Sequence, residues 1–452
     1  MESDKLSLKV KLGYGICDLG GNLYFTVIAF LLLNFLTDTL GLGPGPAGLV
    51  IMAGKIWDAV TDPAVGFISD RTRSRWGRRR PFIFWGSFPL WACMVLMFTH
   101  PGLSHPGQLF AWALVVYCLL CFSYTLVNIP YNALTPELTR DFHERTRLNG
   151  FRFGFAMVGT LVGAGAALPI VQSFENVRLG YTVLGALFGF LMLATAMVTV
   201  FTVKEPRAGG CSEETGPGLI HTYAQVFKNR PYVIILTVYT LHVTALTMVS
   251  GMAIYYFKYI HGDESRTTLA MLILLGTAMA LIPPSVYLAG KWGKKTVYAL
   301  GLVLFALGGV VLYLFGHQYG PGFSYAVMAL AGIGMGLTHA MPYSMVPDTV
   351  EYDYLKTGVR REGAYYGIWT FGIKLGQAMA LVVTGLVLSW TGYQADAVQS
   401  QAAAHGIRFL MGPLPGFIFL FAAGLLLVYP ITRARYEEIL SRIQARENEN
   451  GQ

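Results

Sequence analysis

The sequence reads as an all-α polytopic membrane protein, twelve helical spans arranged as two pseudo-symmetric six-helix bundles. Three observations lead there. Hydrophobic residues make up 54% of the 452 positions and charged residues only 13%, whereas a soluble domain carries about a quarter charged. Apolar runs of roughly 20 residues, long enough to cross a hydrocarbon core as a helix, recur along the whole chain. The two halves of the chain also echo each other across one long polar connection.

The spans are expected at 13–36, 46–69, 81–99, 109–132, 150–172, 181–203, 231–257, 267–290, 295–316, 323–346, 364–390 and 407–430. The N-terminal "MESDKLSLKVKLGYG" is polar and enters an apolar run too long for a signal-peptide core, with no small-residue cleavage site after it. It is therefore expected to be retained. The net charge of +8 is sorted by loop. Lys5, Lys9, Lys11, the cluster Arg71 to Arg80, Arg140, Arg145, Arg147, Lys204, Lys228, Lys291, Lys294, Lys356 and Arg360 fall on one side. The other side offers little beyond Arg178, Lys258 and Arg266. By the positive-inside rule both termini face the cytoplasm, in an inner or plasma membrane. Charge distributed this way is a membrane signature and predicts no nucleic-acid partner. The five cysteines lie in spans or in the central loop, which implies no extracellular disulfide. Cys118 and Cys121 lack a second pair at metal-ligand spacing. No Ser/His/Asp set, zinc spacing or nucleotide loop appears, so an enzyme and a bound cofactor are not expected.

The polar stretch "KEPRAGGCSEETGPGLIHTYAQVFKNRP" divides the chain into a first bundle (1–203), a central cytoplasmic loop (204–230), a second bundle (231–430) and a cytoplasmic tail (431–452). "NIPYNALTPEL" ends span four and "AMPYSMVPDTV" ends span ten; "RWGRRRPF" follows span two and "KWGKKTVY" follows span eight. Repeated halves of this kind mark transporters whose substrate site lies near the midplane, between bundles that rock in alternating access. Such a protein is expected to be a monomer in membrane lipid.

Charges inside the spans carry the chemistry. "KIWDAVTDP" places Lys55, Asp58 and Asp62 at i, i+3 and i+7 in span two, on one helical face. A charge at the bilayer centre costs roughly 2.5–3.5 kcal/mol on insertion scales, so two carboxylates there call for a wet cavity and a cation. Oxygen ligands suit a hard cation such as Na⁺, and a carboxylate of raised pKa suits H⁺. The bland alternative pairs Asp58 with Lys55 and has Asp62 cap a helix break before Pro63. Lys55 is assigned to such a structural pairing.

Span four offers Tyr124, Asn128 and Asn132 at i, i+4, i+8. Span one offers Asp18 and Asn22, and span five contributes Arg152. Sugar hydroxyls need paired donors and acceptors plus an aromatic surface, which this set provides. Asparagines and tyrosines can equally bond helices together, at roughly 0.6 kcal/mol each. A guanidinium in such a position calls for a carboxylate, a phosphate-like group or a substrate. Arg71, Arg73, Arg78 to Arg80, Glu137, Asp141, Asp348, Glu351 and Asp353 form complementary cytoplasmic clusters. They are expected to gate the inner side, or simply to be solvated loop charges; Asp70 belongs to the same loop.

"GFISDRTRSRWGRRRP", with Gly66, Asp70, Arg71 and Gly77, resembles the loop motif of the major facilitator superfamily. "GYGICDLGGNLYF", "WDAVTDP", "SYTLVNIPYNAL" and "VPDTVEYDYLKTG" are together similar to the glycoside–pentoside–hexuronide:cation symporter family, whose best-known member is the melibiose permease. The resemblance runs from about Lys11 to Tyr429. It implies a cation site at Asp58 and Asp62, with Thr125 approaching the ion. Thr61 stands where that permease has an asparagine, so the choice among Na⁺, Li⁺ and H⁺ stays open. Lys374, alone in span eleven, matches a family lysine between the ion and the sugar and is the expected coupling residue. Asn22 and Asn128 replace sugar-gripping aspartates, Asn132 replaces a tryptophan, and His339 aligns with another. The resemblance therefore implies a cation-coupled symporter of a sugar or glycoside, neutral or anionic, without galactoside specificity. A lysophospholipid symporter, which shares the W-D-A-x-T-D-P pattern, is the alternative.

Overall fold

The computed structural model describes residues 6–138, 142–205, 224–358 and 361–450. The described chain is helical, with no strand. Among the described residues, eleven helices are long and apolar enough to cross a membrane. Pro44–Arg71, the expected second span, is 28 residues long and fails only on composition, because it carries Lys55, Asp58 and Asp62. With it, the helices follow the twelve expected spans in order. The fold is all-α.

Span one begins at Leu8–Gly15 and Cys17–Val27 and continues through two π-helical turns, Ile28–Leu32 and Phe35–Thr39. Spans three to six are Arg80–Met97, Pro106–Leu138, Phe142–Gln172 and Val177–Thr202. Spans seven to nine are Arg230–Ile260, Arg266–Trp292 and Lys294–Phe315. Span ten is broken into Gly320–His339 and Met341–Thr357, span eleven is Glu362–Trp390, and span twelve is Gln401–Met411 with Pro413–Leu427. An Arg433–Asn450 helix closes the chain. Both breaks stand at Pro342 and Pro413, whose missing N–H suits the first turn of a new helix segment.

Packing divides the chain into two compact units. The first comprises Met1–Ser212, Ser250–Leu272 and Leu381–Ala404; the second comprises Glu213–Val249, Ile273–Ala380 and His405–Gln452. In the first, span one packs on five, three on four and six, and two on four; in the second, span nine packs on ten and twelve.

Two glycines show how sequence sets the first unit. A Cβ at Gly54 would run into the ring of Tyr117, so glycine lets span two lie close along span four. Gly77 takes φ +100°, which L side chains rarely adopt. The turn it makes presents the backbone N–H groups of Arg78, Arg79 and Arg80 to the Glu205 carboxylate at 2.6, 2.9 and 2.6 Å. Glu205 thereby satisfies donors that the start of span three leaves open. Gly293, in the matching "KWGKK", has φ +86°, so the two loops repeat in backbone as well as in letters.

Candidate functional site

Span two runs unbroken through Pro63, so Asp62 caps no helix break, and that part of the bland reading falls. The Lys55 ammonium lies 5.6 Å from the Phe25 ring centroid, a cation–π placement. The close approach at Gly54 and Tyr117 carries forward along both helices. One turn further along span two and two turns along span four, Asp58 and Asp62 meet Thr125. Thr125 Oγ1 lies 2.8 Å from Asp58 Oδ1 and 2.9 Å from Asp62 Oδ1. Thr125 is 1% exposed and Asp58 5%. A hydroxyl has one hydrogen to donate, so it can satisfy only one of these two carboxylate oxygens at a time. The other contact sets two oxygens at hydrogen-bond length, an arrangement that a positive centre beside them favours. Thr61 is buried and donates to the Asp58 carbonyl at 3.3 Å, which leaves its lone pairs available. No group of three or more His, Cys, Asp or Glu at metal-binding distances occurs among the described residues. The donor set of two carboxylates and hydroxyls suits a hard monovalent ion.

The substrate-side residues converge in the same unit. Arg152 faces Asp18 with two edges, Nε to Oδ2 at 2.6 Å and Nη2 to Oδ1 at 3.2 Å. Its Nη1 donates to Thr135 at 3.1 Å and its Nη2 also to Asn132 Oδ1 at 2.6 Å. The guanidinium lies 4.9 Å from the Tyr131 ring centroid. Of the partners the sequence argument allowed for Arg152, the structure supplies a carboxylate, that of Asp18. Asn132 passes the chain on to Asn128, Nδ2 to Oδ1 at 3.0 Å, and Asn22 donates to the Asp18 carbonyl at 2.9 Å. Tyr124 stacks on Tyr24 with centroids 4.3 Å apart. Asp18, Gly21, Tyr124, Asn128 and Tyr131 line one cavity.

Tyr131, Tyr14 and Thr135 were not singled out by the sequence argument. Tyr131 OH lies 2.6 Å from Asp18 Oδ2, and Tyr14 OH reaches the Tyr131 carbonyl at 2.8 Å. The repeated Pro-Tyr of "NIPYNAL" and "AMPYSMV" was the signal that could have found Tyr131.

His339 and Lys374 belong to the second unit. His339 is exposed and Lys374 partly so. Beside them the second unit holds an aromatic group that the sequence argument passed over. Tyr239 stacks on Trp369 at 4.5 Å with planes 2° apart, and Tyr239 OH donates to Tyr343 OH at 3.0 Å. His242 Nδ1 lies 3.0 Å from Tyr298 OH. Among the expected gating residues, Asp348 pairs with Lys294 at 2.7 Å, Asp353 pairs with Arg361 at 3.1 Å, and Arg71 lies over the Phe67 ring. The side chains of Asp70 and Glu137, together with Asp141 and Arg360, lie outside the described residues.

The family model for MFS/sugar transport proteins matches residues 13–433. The chain belongs to that family. An uncharacterised symporter of Synechocystis is 30% identical, with 100% of this chain and 99% of that one covered. A glucuronide carrier protein homologue of Escherichia coli is 30% identical over 98% of this chain and 97% of its own length. A putative sulfoquinovose importer of Salmonella typhimurium is 29% identical over 99% and 95%. Among solved structures, a bacterial homologue of the lysosomal transporter Spinster superposes with a TM-score of 0.69 at 13% identity, covering 96% of this chain and 97% of that one. A nucleoside transporter superposes at 0.66 and 14%, covering 96% and 100%. These two share the fold, that of the major facilitator superfamily. The chain is accordingly a multi-pass membrane transporter of the sugar-symporter type, with the glycoside–pentoside–hexuronide motifs it displays.

Proposed function

We propose that this protein is a cation-coupled symporter that moves a sugar or glycoside together with Na⁺ or H⁺ across a cell membrane by alternating access. The observation that carries the reading is the single Thr125 hydroxyl held between Asp58 and Asp62, next in sequence to Tyr124, which lines a cavity together with Asp18, Asn128 and Tyr131. A cation beside the carboxylates would offset part of the cost of holding their charge in the membrane, and Thr125 and Thr61 supply neutral oxygens. Asp18, Asn22, Tyr124, Asn128 and Asn132 offer donors and acceptors to sugar hydroxyls, with Arg152 fixing Asp18 and Asn132 in place. Lys374 is the proposed coupling residue, its ammonium alternating with the ion as the balancing charge. The relatives named for glucuronide and sulfoquinovose favour a sugar cargo.

The test is uptake into proteoliposomes of neutral glycosides, a glucuronide, a sulfonated sugar and a lysophospholipid, with Na⁺ and pH gradients imposed separately. Sugar uptake driven by one gradient is expected, and Asp62→Asn is expected to lower gradient-driven uptake by about 100-fold or more, a barrier change of about 2.7 kcal/mol. Gradient dependence that survives Asp62→Asn would sink the ion site; movement of the lysolipid alone would sink the sugar.

A further inference from the structure

In the first unit, the end of span one remote from the chain termini holds a second buried carboxylate that no part of the transport site uses. Asp38 is 4% exposed at its side chain and lies in the second π-helical turn, Phe35–Thr39. Four donors converge on it. Lys258 Nζ and Tyr259 OH, from the end of span seven, reach Oδ2 at 2.8 and 2.9 Å. Tyr393 OH, from the segment after span eleven, reaches Oδ1 at 2.6 Å, and Thr37 Oγ1 does so at 2.7 Å. Lys258 also holds Asp396 Oδ1 at 2.7 Å, and the Asp396 N–H donates to Tyr259 OH at 3.1 Å. Asp396 has φ +51°, and no other described non-glycine residue has a positive φ. A conformation of that kind costs about 1–3 kcal/mol and persists where surroundings over-determine it; here both its N–H and its carboxylate are held.

Two further observations show what this cluster could do. Span one carries two π-helical turns, and single π turns inside helices frequently mark functional sites. At the first of them, Phe30, Leu31, Ala164, Ser250, Thr267 and Thr268 line a cavity, in which the Thr267 and Thr268 hydroxyls are buried without a hydrogen-bond partner. Buried hydroxyls of this kind are satisfied once water reaches them.

We infer that Asp38, Lys258, Tyr259 and Tyr393, with Asp396, form the outer gate of the transport cycle. Asp38 is the anchor, the π turns of span one are the hinge, and the hydroxyl-lined cavity is the start of the outer vestibule. The inference rests on the alternating-access reading but not on any particular cargo or ion. Opening the outer side requires Lys258, Tyr259 and Tyr393 to leave Asp38, so removing one of these donors biases the transporter toward outward opening.

The test uses the full chain in proteoliposomes, oriented with both termini inside, and a membrane-impermeant maleimide added outside. Ser250→Cys places a reporter thiol in the cavity; the native Cys17, Cys93 and Cys121 are buried, and the parent chain gives the background. The reporter alone is expected to react slowly. Adding Tyr393→Phe, Lys258→Met or Asp38→Asn is expected to raise its rate about tenfold, the population ratio moving in proportion. Should Asp38→Asn fail to fold, Tyr393→Phe decides, since it removes one hydroxyl and no charge. An unchanged rate in the folded variants would overturn the gate. The readout needs neither sugar nor ion, so the symport reading can fail in the uptake panel while the gate stands, and the reverse.

Discussion

The two proline–tyrosine pairs, Pro130–Tyr131 in span four and Pro342–Tyr343 in span ten, sit at matching places in the sequence repeat but in opposite chemistry. Tyr131 lies against an ion pair, with the Asp18 carboxylate at its hydroxyl and the Arg152 guanidinium over its ring. Tyr343 lies against neutral rings, with Tyr239 at its hydroxyl and Trp369 6.1 Å away in edge-to-face contact. One repeated sequence pair has been given charge in one half and aromatic surface in the other. Charges need fixed partners, since a half-buried pair is tolerable only with its geometry satisfied. Aromatic faces accept many orientations of a ring-shaped ligand. The first half is therefore suited to hold position, and the second to supply adaptable contact.

The strongest way to break this comparison is at the ion pair. Arg152→Ala leaves Asp18 without its counter-charge. The expected loss is about 3 kcal/mol, at the low end for such pairs because the two side chains are 20% and 17% exposed. Asp18→Asn combined with Arg152→Gln should recover about 1–3 kcal/mol relative to the sum of the single changes. Apparent thermal unfolding of the four proteins in detergent measures the cycle; additive effects would make the pair ornamental.

A smaller effect is expected in the other half. Trp369→Phe weakens the Tyr239 stack, a contact of about 0.5–1.5 kcal/mol, so KM for sugar should rise roughly 2- to 10-fold while the ion dependence stays put. A shifted ion requirement in concentration-response curves would erase the division of labour between the halves.

The smallest effect is expected where the N-terminal segment meets span five outside the membrane. Lys11 donates to Glu144 at 2.7 Å, and this bond holds the Glu144 pKa below its ordinary value. Because folding lowers that pKa, the contact is fully present above the usual carboxylate value of about 4.3 and is lost as pH falls through the lower folded value. Glu144→Gln should flatten the acid limb of the thermal-unfolding profile and leave neutral pH nearly unchanged; an identical acid limb would show the contact to be idle.

What could be read from letters alone was whatever stood out against an apolar background. Asp58, Asp62 and Arg152 are conspicuous in membrane helices, and their spacing placed them on the right faces. Tyr239, Tyr343 and Trp369 are not conspicuous in a chain with 25 tyrosines, 28 phenylalanines and 8 tryptophans, because only tertiary packing tells a stacking ring from a lipid-facing one. Periodicity names a face but not what meets it, so the pairing of Arg152 with Asp18, from different spans, lay beyond it. Asp38 escaped for another reason. A span read as ending at residue 36 leaves it looking like the first polar residue of a loop, whereas the π turns carry the helix past it to Thr39.

Pro63 reaches further than its effect on helix shape. Span two continues through it, yet proline has no N–H to give to the carbonyl four residues back. The main-chain oxygen of Ala59 thereby loses its regular donor in the very turn that joins Asp58 to Asp62. An alkali ion is selected by how many oxygens surround it as much as by their charge, and a proton needs only one. On the symport reading proposed above, the proline that closes "WDAVTDP" frees a main-chain oxygen within the turn between the two carboxylates, which a Na⁺ site could recruit and a proton would not need, so that Pro63→Ala, which restores the donor, would tell the two ions apart.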